Sequence, residues 1–351
     1  MNVNRFLVLL VALLFIIESC HKSELDSFEQ LQSGIEVKRV YGDGINYCAF
    51  TSLLKYEGAY YLAFREAKNH VEDNDYGVIR IMKSNDGDNW RLWETVKQKD
   101  TDLRDPNLSK TPDGRMLLIC GARKKIEGDK YQTTTLYAKG DRMGFNEAKE
   151  VELPDEFLSC LCRWVWRLTW HYDEGYGIIY GKNDEGYYLS LLKTSDGVHF
   201  RKVTDYDIKG EKTEAQIRFK EDGEAIVLVR RGSKENGYIG KSTEPYERWD
   251  WEELPIYLAG QDFIIDNNII ICSTRLTTNI GERTAIWYGD TEGSFQWCYL
   301  LPSSGKNSDT AYSSILKVDN SYWISYYSMH ETAKPCIYLA KIPIGKLPYL
   351  K

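Results

Sequence analysis

The chain has 351 residues, 42% hydrophobic, 28% charged and 13% aromatic, with a formal net charge of −7. These proportions exclude a disordered or fibrous protein, and the acidic balance argues against a general nucleic-acid binder, whose charge is normally positive. The 25 tyrosines, 10 tryptophans and 11 phenylalanines favour strands, and the length suffices for one large all-β domain or two ordinary ones.

In chain order, the first segment is MNVNRFLVLLVALLFIIESC, with Arg5 ahead of an apolar run from Phe6 to Ile17. A run of about 12 residues is too short to span a bilayer and suits the core of a signal peptide. Its end, Ile17-Glu18-Ser19-Cys20, resembles a bacterial lipoprotein processing site, which makes Cys20 the expected lipidated residue of an exported, surface or periplasmic protein. The membrane is then reached through a lipid anchor only. The chain divides into a leader at 1–19, a linker at 20–40 and a folded unit at 41–351. The seven later cysteines (48, 120, 160, 162, 272, 298, 336) sit mostly in apolar runs without any Cys-x-x-Cys, so buried thiols are expected rather than a zinc site.

From Tyr47 onward one pattern recurs six times: a polar start, a strand-like run, a tight turn and a second strand-like run. The repeats begin near Tyr47, Arg104, Arg163, Thr213, Gly260 and Thr310. Their turns are Glu57-Gly58, Asp113-Gly114, Asp173-Glu174-Gly175, Asp222-Gly223, Asp266-Asn267-Asn268 and Asp319-Asn320. A period of roughly 45–60 residues is the size of a four-stranded blade, so the predicted fold is an all-β, six-bladed β-propeller. Two further turns, Ser84–Trp90 and Thr194–Phe200, share the pattern [ST]-x-D-G-x-x-[WF]. There the Asp and hydroxyl groups bond nearby amides, and Gly takes positive φ.

In such a fold, first-strand starts and second-strand ends converge on one central mouth. The starts carry Arg104, Asp105, Arg163, Glu214, Asp262, Asp309 and Tyr312. The ends carry Arg65, Arg123, Arg230, Arg231 and Arg275, so four of six second strands end in arginine. Guanidinium forks repeated at one structural position suit a carboxylate, sulfate or phosphate. Trp164, Trp166 and Trp170 read as alternating core residues, and Arg104-Asp105 as a structural ion pair. No HExxH, phosphate loop or G-x-S-x-G occurs. No metal or organic cofactor is expected.

The [ST]-x-D-G-x-x-[WF] turns and the blade count resemble the Asp-box propellers of the sialidase superfamily, over about Tyr41 to Pro343. The resemblance implies that Asp86 and Asp196 are structural. Phe64-Arg65 is similar to the family's first carboxylate-binding arginine, and Arg230 (or Arg231) and Arg275 to the second and third. Glu214, 16 residues before Arg230, resembles the glutamate that activates a tyrosine nucleophile, and Tyr312 resembles that tyrosine. Asp75 is the implied acid/base, with Asp73 and His70 as rivals, and Arg104, His70 and Asp309 join the substrate-binding set. The implied activity is exo-acting, retaining hydrolysis of a glycan bearing an anionic sugar.

The chain departs from the family where Tyr326-Tyr327 replaces the glutamate that steadies the first arginine, and where Glu66-Ala67-Lys68 follows Arg65. Two other classes stay open: a glycan-binding surface lipoprotein, and a lyase on uronic-acid glycans using His70, His171 or His330.

Overall fold

The computed structural model describes residues 35–347 apart from 129, 233–234, 279–280 and 304–308. The expected leader, Cys20 and the linker up to residue 34 lie outside the described residues. Among the described residues twenty-five strands follow one another, with one α-helical turn, α1 (Asp155–Leu158), between them and a 3-10 turn (Ile344–Lys346) after the last. After β1 (Glu36–Tyr41), blade 1 comprises β2 (Tyr47–Tyr56), β3 (Ala59–Ala67), β4 (Val78–Ser84) and β5 (Arg91–Val96). Blade 2 comprises β6 (Asp102–Lys110), β7 (Met116–Lys125), β8 (Tyr131–Asp141) and the short β9 (Gly144–Phe145) and β10 (Lys149–Glu150). Blade 3 has β11 (Trp164–His171), β12 (Glu174–Asn183), β13 (Gly186–Thr194) and β14 (Arg201–Asp205). Blade 4 has β15 (Lys212–Phe219), β16 (Ala225–Arg231), β17 (Asn236–Ser242) and β18 (Asp250–Tyr257). Blade 5 has β19 (Asp262–Asp266), β20 (Ile269–Thr278), β21 (Gly281–Asp290) and β22 (Phe295–Leu301). Blade 6 has β23 (Ala311–Val318), β24 (Ser321–Ser328) and β25 (Cys336–Pro343).

The predicted six-bladed propeller is therefore the observed fold, each blade an antiparallel meander running outward. Blade 6 draws its fourth strand from the other end of the chain: β1 pairs antiparallel with β25, from Glu36↔Lys341 to Tyr41↔Ile337. Residues 36–40, expected as linker, thus belong to the propeller. The physical reason is that a ring made of meanders leaves one blade a strand short, and the unpaired edge of β25 takes the N-terminal segment.

Six apolar clusters hold the blades together, one between each neighbouring pair. Inner strands are buried on both faces, as in Leu62, Phe64, Val227 and Ile324, each 0% exposed. Each such side chain contributes about 1.5–3 kcal/mol by leaving water. Cys48, Cys120, Cys160, Cys272 and Cys336 are buried free thiols within this packing, and Cys162 is partly exposed.

The two aspartate turns have matching geometry. Asp86 Oδ1 accepts from the amides of Asp88 (2.9 Å) and Asn89 (2.8 Å), and Ser84 Oγ accepts from Gly87 N (2.8 Å). Asp196 and Thr194 repeat this with Val198, His199 and Gly197. Gly87 has φ 78°, and a Cβ there would lie 1.9 Å from the Trp323 ring of blade 6, so glycine is required by conformation and by the close blade contact.

Candidate active site

Five of the six innermost strands carry a β-bulge at the same height. Register slips by one residue between Ala49 and Ser52, Arg104 and Asn107, Val165 and Leu168, Lys212 and Ala215, and Ala311 and Ser314. A bulge kinks its strand and re-aims a side chain. Here Phe50, Asp105, Trp166, Glu214 and Tyr312 stand at the bulges, and Phe50 (φ 63°), Asp105 (45°) and Tyr312 (44°) take left-handed backbone. Such conformations are costly for these residues and persist where the surroundings enforce them, typically at functional sites.

The surroundings here are the neighbouring blades. Near four of the five bulges a backbone amide bonds a side chain of the preceding blade, beginning with Leu53 N to Ser314 Oγ (2.9 Å), Leu108 N to Ser52 Oγ (2.9 Å) and Leu168 N to Asn107 Oδ1 (3.0 Å). Ile315 N bonds Asp262 Oδ2 (2.8 Å) in the same way. A polar ring of repeated design therefore fixes the bulges. Arg167 lies beneath it, with Nη2 donating to Ser313 O at 2.9 Å and Nη1 3.4 Å from Asp262.

Glu214 and Tyr312 meet above this ring. Tyr312 Oη donates to Glu214 Oε1 at 2.6 Å, and Arg230 Nη1 reaches both, at 2.9 Å to Glu214 Oε1 and 3.0 Å to Tyr312 Oη. Glu214 Oε2 accepts from Gly260 N at 3.0 Å. The Tyr312 ring packs so closely on Gly260 that a Cβ there would lie 2.3 Å from it. Burial pushes the Tyr312 phenol well up, and the Glu214 charge adds to this. Burial also acts to raise Glu214, but Arg230 and the hydrogen bonds from Tyr312, Arg230 and Gly260 outweigh it and hold this carboxyl below its ordinary value. The resting pair is a neutral phenol donating to a carboxylate.

Arg275 stands on the other side of Tyr312, its guanidinium 5.7 Å from that ring. Its Nη2 bonds Asp309, Thr310 O (2.9 Å) and Tyr327 Oη (3.3 Å). Asp309 also accepts from Tyr47 and lies 2.9 Å from His70 Nδ1. Burial works against the charge on Asp309, yet His70, Arg275 and the tyrosines hold its carboxyl below the usual range.

The remaining expected residues fall elsewhere. Arg65 is sealed, 0% exposed, with Nε on Asp102 Oδ1 (2.7 Å) and Nη1 on Asn69 O (3.0 Å). Asp102, not a residue of the last blade, steadies it, so this arginine does not face a ligand. Asp75 turns both oxygens into its own loop, accepting from Lys68 N (3.0 Å) and Asn69 N (2.6 Å), and is not brought to the Tyr312–Glu214 pair. Asp73 bonds Lys125 and Tyr131. Arg104 lies over Phe50 at 5.2 Å and donates weakly to Asp102 Oδ2 and His70 O, both at 3.4 Å. Arg231 pairs with Glu235 at 3.0 Å, which leaves Arg230 as the mouth residue of that strand.

Asp105 was read from the sequence as an ion-pair partner, but its carboxylate accepts from Trp166 Nε1 at 3.3 Å. Burial pushes it up to about 6, opposed by Arg104 and reinforced by the charge of Glu214. Tyr47, Phe50 and Trp166 complete the mouth's aromatic wall; Phe50 lies 4.9 Å and Trp166 6.4 Å from Tyr312. Nothing marked Phe50 in the sequence, because the bulge on which it stands depends on pairing across the strands. Among the described residues no group of three metal-ligating side chains occurs, and no helix is long and apolar enough to cross a membrane.

No protein-family model matches the sequence, and no curated protein does. Solved structures do match in shape. A protein of unknown function from Dyadobacter fermentans superposes with TM-score 0.76 at 16% identity, over 89% of this chain and 100% of its own. The Trypanosoma rangeli sialidase bound to 2,3-difluorosialic acid, a covalent intermediate, gives 0.72 at 11% identity, over 92% of this chain and 61% of its own. An α-L-arabinofuranosidase of Fusarium graminearum with an iminosugar inhibitor gives 0.63 at 15% identity, over 88% and 98%. The likeness is one of fold. The chain is a six-bladed propeller whose structural neighbours include glycoside hydrolases of more than one specificity.

Proposed function

We propose that this protein is an exo-acting, retaining glycoside hydrolase that releases a terminal acidic sugar from a glycan. The observation that carries the reading is the 2.6 Å hydrogen bond from Tyr312 to Glu214, with Arg230 on the same phenolic oxygen at 3.0 Å. Glu214 takes the phenolic proton as Tyr312 Oη attacks the anomeric carbon, and Arg230 stabilises the charge that develops on that oxygen. The glycosidic C–O bond breaks as a second acid/base group at the mouth protonates its oxygen. Water then attacks the glycosyl-tyrosine, giving its proton to that same group, and Glu214 returns the phenolic proton to the departing phenolate.

A neutral phenol suits an anomeric centre that bears a carboxylate, where a carboxylate nucleophile would meet like charge. Arg230 and Arg275 flank Tyr312 and receive the anionic group. With Arg65 withdrawn behind Asp102 the grip is two arginines, which supports a broader class of acidic sugar than sialic acid alone. A cleft of about 460 Å³ lined by Tyr257, Arg275, Leu276, Glu282 and Trp287 lies beside the mouth and leaves room for the rest of the glycan. The lipoprotein-like leader supports export, to where such glycans are met.

The test is a turnover screen of sialosides, ulosonic-acid glycosides, uronic-acid glycans and neutral aryl glycosides, with Tyr312→Phe and Glu214→Gln alongside. Release of an acidic sugar, lost in both variants, is the expected result. Activity that survives both variants overturns the reading. Saturable glycan binding without turnover would make the protein a recognition module, and an unsaturated product would make it a lyase.

A further inference from the structure

Retaining hydrolysis needs a second proton-transfer group that protonates the leaving oxygen and later activates water. Asp75 is committed to its own loop, as shown above. That same loop, residues 68–77 between β3 and β4, places His70 at the mouth. Five hydrogen bonds pin the loop: Asp75 accepts from the amides of Lys68 and Asn69, Arg65 donates to Asn69 O, Arg104 to His70 O, and Lys334 Nζ to Lys68 O at 2.5 Å.

The imidazole is oriented as well as placed. Nδ1 lies 2.9 Å from Asp309 Oδ2 and 2.8 Å from Tyr47 Oη, and the ring packs 5.1 Å from Tyr47 and 5.7 Å from Phe50. Phe50 is the ring that also touches Tyr312, so one aromatic side chain separates His70 from the phenol. Nε2 has no hydrogen-bond partner among the described residues, and the side chain is 46% exposed. A carboxylate on one imidazole nitrogen, with the other nitrogen open to the site, is the arrangement that orients a general acid/base. The charged and titratable groups facing it are Asp309, Tyr47, Arg104, and Arg275 and Tyr327 through Asp309.

Resting on the Tyr312–Glu214 reading, we propose that His70, held by Asp309, is the acid/base catalyst of this site. As the bond from Tyr312 Oη to the anomeric carbon forms and the glycosidic C–O bond breaks, the imidazolium Nε2–H passes its proton to the leaving oxygen. The neutral imidazole then takes a proton from the water that attacks the glycosyl-tyrosine, which restores His70 as the phenolate departs. Asp309 is a positioning residue that fixes the Nδ1–H tautomer.

The experiment compares His70→Gln, Asp309→Asn and Asp105→Asn on a matched pair of substrates, one with an alkyl leaving group and one with a 4-nitrophenyl group. Nitrophenolate leaves without protonation. His70→Gln is expected to lose at least about 100-fold in kcat/KM on the alkyl substrate. Its loss in the bond-breaking step on the nitrophenyl substrate is expected to stay under about tenfold. Added azide, a nucleophile that needs no base, is expected to restore turnover of the nitrophenyl substrate and yield a glycosyl azide. Asp309→Asn is expected to show the same leaving-group dependence at smaller amplitude, together with a change in the basic limb of the pH profile. Equal losses on both substrates in His70→Gln, or a leaving-group dependence found in Asp105→Asn instead, would overturn the assignment while Tyr312→Phe remained inactive. A wild-type protein that cleaves neither substrate nor any glycan of the panel would instead sink the glycosidase reading itself.

Discussion

Tyr312 and Glu214, 98 residues apart in the chain, are joined by a 2.6 Å hydrogen bond because each stands on a bulge of an innermost strand. The bulges are fixed by side chains of adjacent blades, so the geometry of the pair is a property of the closed ring and of no single blade. Arg230 completes the triangle from the strand next to Glu214. The arginines of the mouth are each matched by an acid: Arg65 by Asp102, Arg230 by Glu214 and Arg275 by Asp309. The pairing with Arg230 and Arg275 holds the carboxyls of Glu214 and Asp309 below their ordinary range in a buried setting.

If Tyr312 is the nucleophile, a fluorinated acidic-sugar analogue that slows the second step is expected to leave its glycosyl group on this side chain. Peptide mass spectrometry of the trapped protein checks this. Glu214→Gln is expected to slow trapping by about 10³-fold, because the phenol then keeps its proton. A label on Asp105 or Glu214 would move the nucleophile to a carboxylate.

Asp105 gives a stability prediction with a definite sign. Burial raises its folded pKa to about 6, above the ordinary aspartate value of about 3.8, so the unfolded state releases this proton first as pH rises. Stability from this group is fully present below about pH 4, declines between about pH 4 and 6, and the deficit is complete above that. Two pKa units correspond to about 3 kcal/mol. Asp105→Asn keeps an acceptor for Trp166 Nε1 and is expected to be more stable than wild type at pH 7.5 by about 1–3 kcal/mol, and little changed at pH 4. Urea unfolding at the two pH values measures it.

How much of this was legible in the sequence differs by kind of residue. The hairpins were, because turn pairs such as Asp113-Gly114 and Asp222-Gly223 are local chemistry, and Gly114 and Gly223 both have positive φ. Arg230 was readable as a candidate because arginine recurs at second-strand ends, and Glu214 and Tyr312 because they open their blades and resemble the paired residues of sialidases, but their meeting depends on a ring closed across blades 4, 5 and 6. The fate of Arg65 was not readable. Whether an arginine at a strand end faces a ligand or is sealed depends on which acid reaches it, and Asp102 comes from the neighbouring blade. Asp75 and His70 lie five residues apart on one loop, and only the folded loop decides which side chain points inward and which ties the loop together. The β1–β25 pairing likewise joins the two ends of the described chain, which no local signal announces.

The sealed Arg65–Asp102 pair has a testable cost structure. Asp102→Ala strands a guanidinium that is 0% exposed and already has one buried nitrogen, Nη2, without a partner. Breaking a buried pair from one side costs about 3–5 kcal/mol, whereas replacing both partners with apolar groups of similar volume is often nearly neutral. Asp102→Ala is therefore expected to lower the urea midpoint steeply, and Arg65→Met with Asp102→Leu to recover most of the loss. If the double variant folds but no longer turns over substrate, the pair also holds the 68–77 loop in place, since Arg65 Nη1 bonds Asn69 O.

The N-terminal strand offers a final check on how the ring is closed. β1 covers the edge of β25 along five paired positions, and its Val37, Val40 and Tyr41 pack against the clusters on either side of blade 6. A protein starting at residue 42 would expose that edge and lose these partly buried contacts, together about 2–4 kcal/mol. For a domain of this size that corresponds to a fall in Tm of roughly 3–6 °C. The same variant is expected to associate at high concentration, because an uncovered strand edge pairs with another chain. A peptide spanning residues 35–42, added in trans, is expected to raise the melting temperature back toward that of the longer chain, by the ordinary linkage of a ligand that binds only the folded state. A truncated protein with unchanged Tm would mean that blade 6 is stable with three strands and that the seam is not where the ring is held.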